Sequence, residues 1–104
     1  MRCKITVLKR ALHPEMAEQY SDLKITLCPY FEEGQQFLCN MFEKPAGFCD
    51  WAWQDINRIL VALDRGGNFN TGAFTQWMKN DRSMIACCTD GIRPVSFLLE
   101  RIED

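Results

Sequence analysis

Six cysteines are the side chains best able to do chemistry in this 104-residue sequence: Cys3, Cys28, Cys39, Cys49, Cys87 and Cys88. A thiolate is both a nucleophile and a ligand for soft metals such as zinc or iron, and its surroundings decide which role it takes. The stretch ACCTDGIRPV, residues 86–95, sets two thiols side by side ahead of an Asp-Gly turn. Neighbouring side chains on a strand point to opposite faces, so Cys87 and Cys88 cannot both face the core. Together they make a poor clamp for one metal. A two-residue Asp90-Gly91 turn would pair Cys88 with Arg93 and Cys87 with Pro94, which has no N–H to give a ladder. A bulge or a short edge strand relieves that conflict and can re-aim a side chain. Cys88, nearer the turn, is the thiol expected to be aimed; the competing reading is one core thiol and one in a minor pocket.

Cys49 lies just before Asp50, a good N-cap, and so should sit at the mouth of a helix. Helix N-termini favour thiolate, although the charge of Asp50 would partly cancel the effect. Packing under the helix beside Phe48 is the alternative. Cys28 stands in CPYFEEGQQF, where Pro29 forces an extended residue before it, so Cys28 is expected to end a strand. Glu32 and Glu33 read as a solvated turn, and Cys3 and Cys39 as core. No C-x2-C occurs, and the spacing of Cys28, Cys39, Cys49 and Cys87 matches no zinc ribbon or common iron–sulfur pattern. A metal site built from Cys28, Cys49 and Cys88 (or Cys87) would therefore be assembled from three separate elements. Asp50 or Asp90 would add a ligand or an acid/base group. Arg93 would hold an anion, stabilise a thiolate, or simply pair with Asp90. Trp51 would be exposed, line a pocket, or fill an oligomer interface. The lone histidine, His13, reads as a surface residue.

These residues need elements to position them. Residues 3–10, CKITVLKR, alternate as a half-buried strand. Pro14 can open a short helix over HPEMAEQYSDL. ITLCPYFEEGQQFLCNMF reads as strand, turn, strand, with Gly34 in the turn. From Asp50, the residues Ala52, Trp53, Ile56, Ile59, Leu60 and Leu63 recur at helical spacing until Gly66-Gly67, predicting an amphipathic helix over about 50–65. Residues 66–83 are turn-rich, with one helical turn around AFTQWMK. SMIACC and PVSFLLERI then form a hairpin, with Val95, Phe97 and Leu99 on one face. The sum is an α+β fold: a small, curved, mainly antiparallel sheet, one main helix and a C-terminal hairpin, in a single domain over 1–104.

Composition narrows the function classes. The chain is 47% hydrophobic and 25% charged, as ordinary globular proteins are. A net charge of −2 supplies no basic footprint for nucleic acid and no polybasic membrane patch. No apolar run approaches a membrane span. The opening residues carry no signal-peptide pattern, so the thiols read as reduced and the setting as cytoplasmic. G-x-S-x-G, P-loop and G-x-G-x-x-G motifs do not occur. Two functions remain. One is a cysteine-thiolate site for a soft metal or redox chemistry. The other is a non-enzymatic interaction module, possible as a homo-oligomer, with Trp51, Phe69, Phe74 and Trp77 as the contact surface and the cysteines as filler.

Three segments, CPYFEEGQQF, KPAGFCDWAW and MIACCTDGIRPVSFLLERIED, together resemble a family of short prokaryotic proteins of uncharacterised activity. Its members begin with a CKITV-type strand and carry a cysteine followed by an EGQ-F-like turn. They continue with a P-x-G-F/L-C-x-x-A-W-like helix start and end with CxDG…V-F-x-I/L-E-R. The resemblance covers nearly the whole chain, and the order and spacing of the motifs make it specific. It maps onto Cys28, Gly34, Gly47, Cys49, Ala52, Cys87 or Cys88, Asp90 and Gly91. It implies one compact domain in a cytoplasmic prokaryotic setting, and it brings no activity with it.

Overall fold

The computed structural model describes residues 2–40 and 43–102. Strand β1, Arg2–Arg10, follows the alternation of its sequence, burying Cys3, Ile5 and Val7 on one face. Pro14 opens the short helix α1, Pro14–Tyr20, which buries only Ala17. Strand β2 is Gln36–Cys39. Helix α2, Asp50–Asp64, buries Ala52, Ile56, Leu60 and Leu63, one stripe of a 3.6-residue period. Strands β3, Ser83–Cys87, and β4, Val95–Ile102, complete an open sheet of order β2-β1-β4-β3 in which every neighbouring pair is antiparallel.

Register puts the core on one side of that sheet. Ile5 pairs with Leu99 and Val7 with Phe97, while Met84 and Ala86 meet Leu99 and Phe97 from the other side. The stripe of α2 packs on this face, and the buried cluster includes Phe31, Phe48 and Cys88. The opposite face keeps Leu8, Leu38 and Ile85 exposed. The α+β class, the main helix and the final hairpin are thus as the sequence indicates.

α2 ends through a paired closure. Gly66, with φ of 84°, donates its N–H to the Leu63 carbonyl at 3.0 Å, and Gly67 donates to the Ala62 carbonyl at 2.8 Å. These two bonds form a Schellman motif, satisfying carbonyls that the helix leaves without partners.

Four local expectations need correction. Residues 25–28 form no strand: both edges of β1 are taken by β2 and β4, and Leu23 and Leu27 are exposed. What docks on β1 beside β2 is the Gly34 turn, through Val7 N–H to the Gln35 carbonyl and Gly34 N–H to the Val7 carbonyl, each 2.8 Å. The hairpin does not close over two residues, because Cys87 pairs with Ser96 rather than Pro94, leaving a loop over 88–94. Pro94 thereby stays out of the ladder it cannot donate to. Asp50 is not the N-cap of α2; Cys49 takes that position and Asp50 is the first helical residue. In 66–83 the helical turn is a 3-10 turn at Gly72–Phe74, which begins one residue before AFTQWMK and covers only its first two residues.

Candidate functional site

Strand alternation settles the vicinal pair. Cys87 is exposed on the outer face of the sheet, whereas Cys88 is turned inward and is only 8% exposed. Cys88 N–H donates to the Val95 carbonyl at 3.1 Å, and Cys88 Sγ accepts the Val95 N–H at 3.3 Å. Backbone and thiol of Cys88 are thus both tied to Val95 at the start of the 88–94 loop.

Cys88 lines a cavity of about 510 Å³ with Cys28, Cys49, Trp51, Asp90 and Arg93. Three segments meet there. The first reaches it because Phe31 is buried, its ring 5.0 Å from Phe48, 5.2 Å from Phe97 and 6.2 Å from Phe37 by centroid. That anchor brings Cys28 to the rim, and the Cys28 carbonyl accepts a bond from Arg10 Nη1 at 3.2 Å. The second is the start of α2, where buried Phe48 holds Cys49 at the N-cap with no side-chain capping bond. The third is the 88–94 loop.

Two devices shape that loop. Asp90 Oδ1 accepts the N–H groups of Ile92 at 3.0 Å and Arg93 at 2.9 Å, while its Oδ2 accepts Arg93 Nε at 3.0 Å. This is an Asx turn reinforced by an ion pair. The second device ties the loop to α2. Asp55 Oδ2 accepts Thr89 N–H at 2.7 Å, the Thr89 hydroxyl also donates to Asp55, and Trp51 Nε1 donates to Thr89 Oγ1 at 2.7 Å. Trp51 and Asp55 stand four residues apart and share a helix face. Trp51 therefore clamps the loop even though it is 65% exposed.

Burial pushes the Asp90 carboxyl up, but the bonds from Arg93 and Ile92 outweigh it and hold the group below its ordinary value of 3.8. The sign follows from the lower folded value. The stabilisation is fully present above the ordinary value and is lost as pH falls through the folded one. Acidification below pH 3.8 should thus release the loop, read as a change in Trp51 fluorescence that Asp90→Asn abolishes. An identical acid transition in both proteins would show that Asp90 does not govern the loop.

The cavity collects Cys28, Cys49, Cys88, Asp90, Arg93 and Trp51, and leaves out two residues assigned to the site from sequence. Cys87 faces away, and Asp50 is exposed and paired with Lys44. Among the described residues no group of three or more His, Cys, Asp or Glu side chains is placed to hold a metal ion. Cys28, Cys49 and Cys88 share walls without forming the chelate read from sequence for zinc or iron.

The remaining two thiols face each other across β1 and β2, Cys3 opposite Cys39. Burial, then the Asp64 carboxylate, raises Cys3; burial, then Cys3 and Asp64, pushes Cys39 up to about 11. Cys3 is a core thiol, and Cys39 is half-buried against the core. All six cysteines are free. Among the other aromatics, Trp77 and Phe74 are exposed and in ring contact at 5.6 Å, while Phe69 is partly buried against the core. No helix among the described residues is long and apolar enough to cross a membrane.

Asp55 is the loop-anchoring residue that sequence reasoning misses. Its only local signal is the four-residue spacing from Trp51, off the apolar stripe, which on any helix reads as a solvated face. Comparison with known proteins finds no matching family model, no matching curated protein and no matching solved structure.

Proposed function

We propose that the protein binds a small molecule in the cavity at the start of α2 and engages it through thiol–disulfide chemistry at Cys28 and Cys49. One observation carries this reading: three cysteines from segments far apart in sequence line one cavity, while Cys3, Cys39 and Cys87 lie elsewhere. The volume is within the range of small-molecule sites, and apart from Thr89 and the Asp90–Arg93 pair its other walls are apolar, aromatic or glycine. Cys28 and Cys49 are half-buried and reachable; Cys88 is deeper. The absence of a chelating group among the described residues favours this chemistry over soft-metal binding.

Site-resolved labelling tests it. In the native protein Cys87 should react first, Cys28 and Cys49 next, Cys88 slowly, and Cys3 and Cys39 last. A thiol titrating near 11 instead of 9.0 carries about a hundredfold less thiolate at neutral pH, which sets the place of Cys39. With Cys87→Ser removing the exposed thiol, the uncharged aromatic disulfide dithiodipyridine should modify Cys28 and Cys49 at a rate that saturates with reagent. Saturation reports binding before reaction. A strictly linear dependence at both cysteines would reduce them to partly exposed core thiols.

A further inference from the structure

We infer that the ligand of this cavity carries a carboxylate or similar planar anion and that Arg93 selects it; the inference rests on the thiol-reactive reading above. Arg93 is the one cation among the residues lining the cavity, and Asp90 the one anion. Their pairing does not exhaust the guanidinium. Asp90 spends both oxygens, Oδ1 on two backbone N–H groups and Oδ2 on Arg93 Nε. Arg93 spends only Nε, and its Nη1 and Nη2 donate to nothing among the described residues. A guanidinium held along its Nε edge presents the other two nitrogens as a fixed fork, which matches the two oxygens of a carboxylate.

The fork is also held in place. Cys88 and Val95 close the loop at its base, and the Asp55–Thr89–Trp51 chain fixes its first residues to α2. Asp55, the carboxylate that ties the loop to α2, is occupied by Thr89. The Arg93 side chain is 40% exposed, so the fork remains open to a ligand. The rest of the lining includes Pro29, Tyr30, Phe31, Trp51, Ala52 and Val95, a surface for a ring or short hydrocarbon. The chemical class that fits is a small disulfide with an apolar or aromatic body and a carboxylate.

The reaction balances without another reagent. The thiolate of Cys28 or Cys49, its proton released to solvent, attacks one sulfur of the ligand disulfide. A protein–ligand S–S bond forms as the ligand's own S–S bond breaks, and the departing half leaves as a thiolate. The cysteine is oxidised and the ligand half reduced. Arg93 takes no part in the exchange and acts on binding alone.

The test compares dithiobis(nitrobenzoate), which carries carboxylates, with uncharged dithiodipyridine. Rates at Cys28 and Cys49 are measured in the Cys87→Ser protein, each divided by the same reagent's rate with N-acetylcysteine. Arg93→Gln should lower the normalised rate of the anionic reagent about tenfold, the loss of a charge-assisted contact, and leave the neutral one unchanged. Both rates left unchanged by Arg93→Gln would overturn the role of Arg93 while the thiol reading stands. Absence of saturable reaction with either reagent would remove the thiol reading and this inference with it. Should Arg93→Gln depress both rates together, Asp90→Asn decides. It keeps an acceptor for the two backbone N–H groups and frees the guanidinium of its counter-charge, so the anionic preference should rise. A preference that stays level or falls overturns the inference.

Discussion

Replacing Phe48 by alanine should cost about 3–5 kcal/mol of stability, the range for deleting a fully buried aromatic side chain. Phe48 is 1% exposed, with ring centroids 5.0 Å from Phe31, 5.0 Å from Phe37, 5.6 Å from Phe97 and 6.1 Å from Trp53. It is where the pre-β2 segment, the sheet and the start of α2 all meet, so no neighbour can move in to fill the space without disturbing another. Against a global stability of about 5–15 kcal/mol, the loss brings the protein close to unfolding. Phe48→Leu keeps most of the volume and should cost about 1–2 kcal/mol. Urea unfolding of the two variants checks this; a loss under about 1 kcal/mol for alanine would show that the ring cluster is not the centre of the core.

The second large effect is expected at Gly67. A β-carbon there would lie 2.5 Å from the Ala62 carbonyl oxygen and 3.1 Å from its carbonyl carbon, which are backbone atoms of α2. That same oxygen receives the Gly67 N–H, so relief of the clash means loss of the helix-ending bond. Arg101 Nη1 also reaches the Gly67 carbonyl at 3.3 Å and the Leu63 carbonyl at 2.7 Å, so the displacement passes to β4. Gly67→Ala should therefore destabilise by about 2–3 kcal/mol. Gly66→Ala meets open space and suffers only from its positive φ, about 1–2 kcal/mol. Thermal melts of the two variants should rank Gly67 above Gly66. The reverse order would mean that conformation, not space, limits this turn.

The parts of this molecule that the sequence makes legible are those governed by local period. The four-residue recurrence of Ala52, Ile56 and Leu60 is enough to place α2, and alternation is enough to turn Cys88 inward and Cys87 outward. Sheet pairing is not local. Ile25–Cys28 has the composition of a strand, but no edge of β1 is free to receive it. The Asp-Gly dipeptide signals a turn correctly, yet the Asp90 side chain captures two N–H groups and lengthens the loop, which moves Cys87 opposite Ser96. The meeting of Cys28, Cys49 and Cys88 is legible as three motifs each bearing a thiol. The distances and directions that deny them a common metal come only from packing. Asp55 is furthest from view, since its partner Thr89 lies 34 positions away and no pattern around either residue records the bond.

The tie from Thr89 to Asp55 and Trp51 makes the first turns of α2 and the mouth of the cavity one cooperative unit. Opening the loop leaves Trp51 and Asp55 at the helix start without their bonds to Thr89, and fraying the helix start releases the loop. The protein therefore has no rigid frame with a separate flap at this end. The candidate cavity and the start of the helix share one local opening equilibrium, so whatever stabilises either of them closes both.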